Sequence, residues 1–268
     1  GLSVKTGKFP AMASGKALAL GETEGMVKLV VDSEVGDVVG AHMIGAEVTE
    51  LLGELSMAKR KEIIQAYYAS TTLMDACLGR VLDALERLKL DDNTIVVFLS
   101  DHGYHLGHHG LWQKSDLFEG SARVPLIIRV PGMTTAGRDT SAMTELVDLY
   151  PTLADLCGLS APKHVMGDSL LPTLQRPQRD GKEAAYTVTR IRPKGFRTKA
   201  QPNPLGRTIR TERYRYTEWL GGKHGVELYD YQEDPMEYHN LAEHTEHQAT
   251  RKELAALLAK NQAKANSK

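Results

Sequence analysis

The sequence predicts an α/β fold with a parallel or mixed sheet flanked by helices, on the strength of two features. Residues 94–99, Thr-Ile-Val-Val-Phe-Leu, form an unbroken apolar run typical of a strand buried on both faces. Around this run the chain alternates helix, strand, loop, strand and helix, which is the order of elements in α/β proteins. We therefore expect the run to lie in the middle of a parallel sheet.

The first elements are expected in residues 25–45, where two strand-like segments flank turn-forming residues at Ser33–Asp37 and predict a hairpin. A short helix is expected from Glu47 to Met57. Apolar residues then recur at helical spacing from Ile63 to Leu88, which predicts one long helix. The residues of this apolar stripe are Tyr67, Met74, Leu78, Val81, Leu85 and Leu88.

After the buried run, a second apolar strand is expected over Val124–Val130, between two prolines. A helix is expected to begin with Asp148 as its N-cap and Pro151 in its first turn. The segment Gln175–Asn203 is rich in Pro, Arg, Lys and Gly, and we expect it to be irregular.

The last part of the chain predicts a small antiparallel subdomain. Residues Arg207–Trp219 alternate like one strand, and Val226–Tyr231 predicts another. The Ala-, Leu- and Lys-rich segment Glu246–Lys268 predicts a C-terminal helix.

The composition and the charge balance leave several classes of partner without support. The 268 residues carry 33 Lys and Arg against 34 Asp and Glu, so neither nucleic acid nor a polyanionic surface is favoured as a bulk electrostatic partner. No apolar run approaches a membrane span, and residues 1–30 lack the pattern of a signal peptide. Cys77 and Cys157 lack metal-ligand or redox spacing, and we expect both to be packing residues.

Chemically useful side chains follow the predicted buried strand. Asp101 and His102 follow it after Ser100, and in open α/β sheets ligands bind beyond the carboxyl ends of strands. A carboxylate and an imidazole can hold a divalent cation, and Lys114 can face an anion, which suits hydrolysis of a charged ester. The histidine-rich loop leaves a transition-metal cluster open as an alternative, formed by His102, His105, His108 and His109.

Several stretches in a fixed order carry a family resemblance: Ser100-Asp-His-Gly103, Gly107-His-His-Gly-Leu-Trp-Gln-Lys114, Asp148-Leu-Tyr-Pro-Thr-Leu153 and Glu227-Leu-Tyr-Asp230. From about Arg60 to Ala242 the chain resembles the sulfatase family, and most of all the iduronate- and choline-sulfatase type. The resemblance implies an incomplete alkaline-phosphatase-like sheet with a small antiparallel C-terminal subdomain. An α+β fragment precedes it.

The resemblance also implies roles for particular residues. In the family a Ca²⁺ ion is held by two acids from the first strand, a modified Cys or Ser, and an Asp-His or Asp-Asn pair, which Asp101 and His102 match. Because calcium takes six to eight oxygen ligands, this pair cannot be the whole site. Lys114 matches the sulfate-contacting lysine and is expected to act in catalysis, and Lys114 and His109 are expected to bind substrate.

The nucleophile implied by the resemblance is missing. Sulfatases convert the Cys or Ser of Cys/Ser-x-Pro-x-Arg to formylglycine, and no cysteine or serine of this chain stands in that motif. The chain is therefore expected to be inactive alone and to need a complementary N-terminal half. The resemblance implies a sulfated small molecule or sulfated sugar as substrate, in a periplasmic, extracellular or lysosomal compartment.

Residues 1–58 resemble a different family. Thr6-Gly-Lys-Phe-Pro10, residues 17–25 and residues 39–45 are similar to the dimerisation domain of dihydrolipoamide dehydrogenase. The sequence thus predicts two parts, 1–58 and 59–268, joined as a fusion or chimera. Three further functions stay open: a catalytically dead interaction module, a phosphate or phosphonate ester hydrolase, and a fragment of a flavin-dependent dihydrolipoamide dehydrogenase.

Overall fold

The structure, a computed structural model, describes residues 3–10, 25–33, 38–45, 57–112, 114, 116–190 and 205–266. The chain divides into two compact units. One comprises Gly1–Thr72 with His105–Gln113, and the other comprises Leu73–Tyr104 with Lys114–Lys268.

The first unit contains a three-stranded antiparallel sheet of β1 (Val4–Pro10), β2 (Gly25–Asp32) and β3 (Val38–Gly45) in that order. The β2–β3 pair is the predicted hairpin, with an irregularity at Val30 and Val31. The turn residues 34–37 and the helix expected from Glu47 lie outside the described residues.

A single long helix, α1 (Met57–Arg87), confirms the helix expected from Ile63 and begins earlier. None of its residues is buried, and most of its apolar stripe is exposed, with Met74 45% and Val81 59% exposed, while Leu78 and Leu85 are partly buried. Helical spacing predicts a face able to pack, but it does not show which segment covers that face. Cys77 on this helix and Cys157 are both exposed, so the prediction that they pack is wrong.

The apolar run after α1 forms β4 (Val96–Leu99), which pairs antiparallel with β5 (Leu126–Arg129). This arrangement corrects the expectation of a fully buried strand inside a parallel sheet, because β4 is half-buried and Leu99 is 38% exposed. An apolar run specifies a preference for burial but not the direction of its neighbours. The strand expected at Val124–Val130 is confirmed as β5.

Two helices, α2 (Glu119–Ala122) and α3 (Leu149–Leu156), lie on either side of β5 in the chain. Asp148 is the N-cap residue of α3, as expected, but its side chain makes no capping hydrogen bond there, because a 3₁₀ turn at Leu146–Asp148 with Glu145 as its own N-cap precedes α3. Instead Asp148 accepts the Glu145 N–H at 2.9 Å and the Asp168 N–H at 2.9 Å. A further short helix, α4 (Leu171–Gln175), follows.

Lys182 neutralises the buried carboxylate of Asp148. Its Nζ lies 2.5 Å from Asp148 Oδ1 and 2.7 Å from Glu145 Oε2. Burial opposes the charge of Lys182, but these hydrogen bonds outweigh burial and raise the pKa of the ammonium group.

The C-terminal subdomain is a four-stranded antiparallel sheet of β6 (Ala185–Arg190), β7 (Leu205–Arg210), β8 (Tyr214–Trp219) and β9 (Val226–Asp230) in sequential order. The helix α5 (Gln248–Asn266) confirms the predicted C-terminal helix. Leu254 and Leu258 of this helix join Ile209 and Leu228 of the sheet in one buried core.

Two expectations for this subdomain are wrong. The single strand expected over Arg207–Trp219 is the hairpin β7–β8, because Thr211 turns the chain: its Oγ accepts the Tyr214 N–H at 3.0 Å. The segment expected to be irregular contains β6, and its residues 191–204 lie outside the described part. Within the described residues, no helix is long and apolar enough to cross a membrane.

Candidate active site

Asp101 and His102 lie just beyond the carboxyl end of β4, separated from it by Ser100, as expected. The Ser100 hydroxyl donates to the backbone carbonyl of His102 at 2.8 Å, and His102 Nδ1 lies 2.9 Å from the Gly103 carbonyl oxygen. Lys114 Nζ lies 3.4 Å from Asp101 Oδ2, so the structure brings these two side chains together. The Lys114 and Asp101 side chains are 53% and 83% exposed, so both are accessible to a ligand.

Gly103 allows the backbone after this pair to pass against α2. Its N–H donates to the Ser121 carbonyl at 2.8 Å. A Cβ atom at Gly103 would lie 2.0 Å from the Gly120 carbonyl oxygen, so only glycine fits here. The position of α2 is therefore tied directly to the residue that follows His102.

Asp116 orders the segment between Lys114 and α2. Its carboxylate accepts the Ser121 hydroxyl at 2.6 Å and the Phe118 N–H at 3.0 Å, and both Asp116 and Ser121 are buried. We did not predict this residue from the sequence. The local signal of such a turn is an aspartate whose side chain can accept the N–H of the residue two positions later, and Asp116 stands two positions before Phe118.

The histidine-rich loop, His105–Gln113, belongs to the first unit, whereas Asp101, His102 and Lys114 belong to the second. His105 is buried, and its ring centroid lies 6.1 Å from that of His108 and 5.7 Å from that of His109. His109 has a φ of 56° within a 3₁₀ turn. Trp112 is buried, and its ring lies beside Gly107.

Across the part of the chain that the structure describes, no group of three or more His, Cys, Asp or Glu residues is placed to hold a metal ion. The transition-metal cluster therefore gains no support. Asp101 and His102 supply a carboxylate and an imidazole, which fit part of a divalent-cation site and fall short of the six to eight oxygen ligands that calcium takes.

Comparison with known proteins identifies two family models. The sulfatase model matches residues 17–159, and the model of the C-terminal region of N-sulphoglucosamine sulphohydrolase matches residues 107–264. The sulfatase match begins inside the segment 1–58, and these comparisons give no support to its resemblance to dihydrolipoamide dehydrogenase.

Among similar proteins, iduronate 2-sulfatase of Mus musculus is 33% identical over 249 residues, covering 70% of this chain and 45% of the relative. A solved structure of BT4656 in complex with its substrate D-glucosamine-2-N,6-O-disulfate superposes with a TM-score of 0.70 at 31% identity, covering 81% of this chain and 45% of that one. Phosphonate monoester hydrolase of Agrobacterium radiobacter gives a TM-score of 0.70 at 30% identity, covering 79% of this chain and 43% of that one.

These structural matches confirm the alkaline-phosphatase-like α/β fold class. The chain spans less than half the length of the curated relatives it matches. Each of the two family models matches more than half of the chain, and the chain belongs to the sulfatase family.

Proposed function

We propose that the chain is part of a sulfuric ester hydrolase that acts on a sulfated sugar or another sulfated small molecule. The observation that carries this proposal is the pairing of Lys114 with Asp101 at 3.4 Å, because Asp101 lies two residues beyond the end of β4. The similarity to a protein whose substrate is a disulfated glucosamine supports a sulfated sugar.

We assign the anion-binding role to Lys114. Its side chain is exposed, and its ammonium group can donate hydrogen bonds to sulfate oxygens. A positive charge held at this position stabilises the negative charge that develops on the sulfuryl group and on the leaving oxygen. His109 is assigned to substrate binding by the same family pattern.

Asp101 and His102 are assigned to the metal. Members of the family generally use a divalent metal ion, and for this chain we propose Ca²⁺. Asp101 would contribute carboxylate oxygen and His102 a ring nitrogen, with oxygen ligands supplied from elsewhere. When bound, the ion would neutralise part of the sulfate charge.

We propose that covalent catalysis is absent from this chain alone. Displacement at sulfur by a formylglycine hydrate needs the Cys/Ser-x-Pro-x-Arg motif, which the sequence does not contain. A complementary N-terminal half would have to supply it. We also propose that residues 1–58 have a different origin from the rest of the chain. We further propose that the protein acts in a periplasmic, extracellular or lysosomal compartment.

A second candidate is hydrolysis of a phosphate or phosphonate ester, favoured by the similarity to a phosphonate monoester hydrolase. A tetrahedral anion of either kind can meet Lys114. A catalytically dead interaction module is the third candidate, favoured by the missing nucleophile.

A binding experiment separates these candidates. The full chain in calcium is titrated with D-glucosamine-2-N,6-O-disulfate and with glucosamine 6-phosphate, and NMR signals of Asp101 and Lys114 are followed. We expect the sulfate ester to shift these signals and Lys114→Met to weaken binding by about tenfold or more, because a charge-assisted hydrogen bond is lost. The exposed-lysine control Lys163→Met should bind normally.

Two results would contradict the proposal. Tighter binding of the phosphate ester would favour the second candidate. No shift of either residue with either ester would favour the interaction module.

A further inference from the structure

A buried cluster of charges lies between the C-terminal sheet and α2. It consists of Glu119, Arg210, Arg215, Tyr231 and Glu237, and we call it the Arg215 cluster. Arg215 and Glu237 are 2% and 3% exposed, so almost none of their charge is solvated by water. Moving two charges out of water is unfavourable, so a buried ion pair persists only when well-formed hydrogen bonds compensate for the lost solvation.

Glu237 is the centre of this cluster, and both of its carboxylate oxygens are engaged. Oε1 accepts Arg215 Nε at 2.6 Å and the Tyr231 hydroxyl at 2.5 Å. Oε2 accepts the backbone N–H of Glu119 at 2.7 Å. Glu237 holds this position with a φ of 59°, in the left-handed region that non-glycine residues rarely adopt.

The Glu119 side chain is held from the same sheet. Its carboxylate pairs with Arg215 Nη2 and lies 3.4 Å from Arg210 Nε. The Arg210 guanidinium also stacks over the Tyr231 ring at 3.5 Å from the centroid. Two guanidinium groups thus face two carboxylates, so the charges of the cluster balance. The cluster contacts both the backbone and the side chain of Glu119.

Glu119 is the first residue of α2, and α2 contacts the candidate active site through its backbone. The Gly103 N–H donates to the Ser121 carbonyl at 2.8 Å, and the Gly120 carbonyl lies too close to Gly103 to admit any side chain. A shift of Glu119 by a few tenths of an ångström must therefore move Gly103, which directly follows His102. Close-packed backbone of this kind transmits small displacements because there is no space to absorb them.

We propose that Glu237 is a positioning residue for the candidate active site. Through the Glu119 N–H it fixes α2, and through the contact of α2 with Gly103 it fixes the backbone that presents Asp101 and His102. The inference rests on the proposed function for the role of those two residues, and on the observed contacts alone for the coupling between Glu237 and Gly103.

Amide hydrogen exchange on the full chain tests the coupling. Glu237→Ala removes the acceptor for the Glu119 N–H, and we expect exchange at Gly103 to accelerate by about tenfold relative to the Leu220 amide, which bonds to Leu205 O at 2.8 Å in the same sheet. The matched control is Glu218→Ala, which breaks the 2.6 Å pair with Arg207 in that sheet without touching α2. Equal acceleration at Gly103 and Leu220, or the same response in the control, would overturn the proposal.

A milder pair of variants covers the case in which Glu237→Ala does not fold. Tyr231→Phe removes the hydroxyl that donates to Glu237 and that also contacts Arg215 and Glu119 within the cluster. Tyr229→Phe removes a hydroxyl that lies 3.4 Å from Glu227 instead. We expect exchange at Gly103 to rise by about threefold in the first variant and to stay unchanged in the second. An unchanged rate in Tyr231→Phe would contradict the coupling.

Calcium-induced shifts of the His102 ring signals test the link to function. We expect Glu237→Ala to reduce these shifts along with the faster exchange at Gly103. If calcium shifts nothing in the native chain while the exchange result holds, the metal assignment fails and the coupling stands. If calcium shifts His102 equally in native and Glu237→Ala chains, the positioning role is overturned.

Discussion

The ammonium group of Lys114 lies 3.4 Å from a carboxylate oxygen of Asp101, thirteen positions earlier in the chain. Both side chains are largely exposed, and an ion pair between exposed groups contributes about 0–1 kcal/mol to stability. The pair therefore adds little to folding. Its importance is that a cation able to meet an anionic ester and a carboxylate able to meet a metal lie side by side.

The pairing of Lys182 with Asp148 should be important for stability. Lys182→Met removes the cation from Asp148, which is fully buried, and we expect the free energy of unfolding to fall by about 2–3 kcal/mol. Urea denaturation at pH 7 measures the change, with the exposed Lys223→Met as control. Since the Lys182 pKa is raised, its contribution should be present below its ordinary pKa of 10.5 and be lost as the pH rises through the higher native value. A loss equal to that of the control would contradict this account.

Gly103 and Gly79 should respond in opposite ways to alanine. At Gly103 the added Cβ meets the Gly120 carbonyl at 2.0 Å, so Gly103→Ala should destabilise the chain by about 1–3 kcal/mol and disturb the signals of His102. At Gly79, inside α1, nothing lies within 4 Å of the added atom. Gly79→Ala should therefore stabilise the helix by about 0.5–1 kcal/mol. Thermal unfolding of both variants measures this, and a neutral Gly103→Ala would show that α2 does not press on Gly103.

Asp230 should make the chain sensitive to acid. Arg213 donates to both of its carboxylate oxygens, at 2.9 Å and 2.6 Å, and these bonds hold the Asp230 pKa below its ordinary value of 3.8 despite the opposing effect of burial. A lowered native pKa means that the contribution is present above pH 3.8 and is lost as the pH falls through the native value. The stability difference between the native chain and Asp230→Asn should thus be constant above about pH 5 and shrink in acid. Urea titrations from pH 7 to pH 3 measure it, with Asp139→Asn as the exposed control; a difference independent of pH would exclude the mechanism.

Elements with a strong local sequence pattern could be predicted, and elements without one could not. The helix α1 and the strand β4 followed from spacing and from an apolar run, because such patterns depend only on neighbours in the sequence. The turn at Thr211 was missed because it contains no Gly or Pro, and the alternation of β7 continues into β8. The antiparallel pairing of β4 was missed because an apolar run does not encode strand direction.

In the candidate site, too, some contacts could be predicted from the sequence and others could not. The proximity of Asp101 and Lys114 was expected from the family motifs. The hydrogen bond from the Glu119 N–H to Glu237 joins residues 118 positions apart, and a long-range pair of this kind leaves no local pattern in a single sequence. The roles of Asp101, His102, His109 and Lys114 remain predictions that the binding and exchange experiments address.

The most direct test is an assay of aryl sulfate hydrolysis by the purified chain in millimolar calcium, with the Asp101→Ala variant measured beside it. The assay tests whether this chain carries the charged residues of a sulfatase site without the nucleophile. We predict no turnover above background for either protein, because Asp101, His102 and Lys114 can position and neutralise a sulfate but nothing in the chain stands in the formylglycine motif. Turnover by the native chain that disappears in Asp101→Ala would contradict the account, since it would require a nucleophile that the motif does not identify.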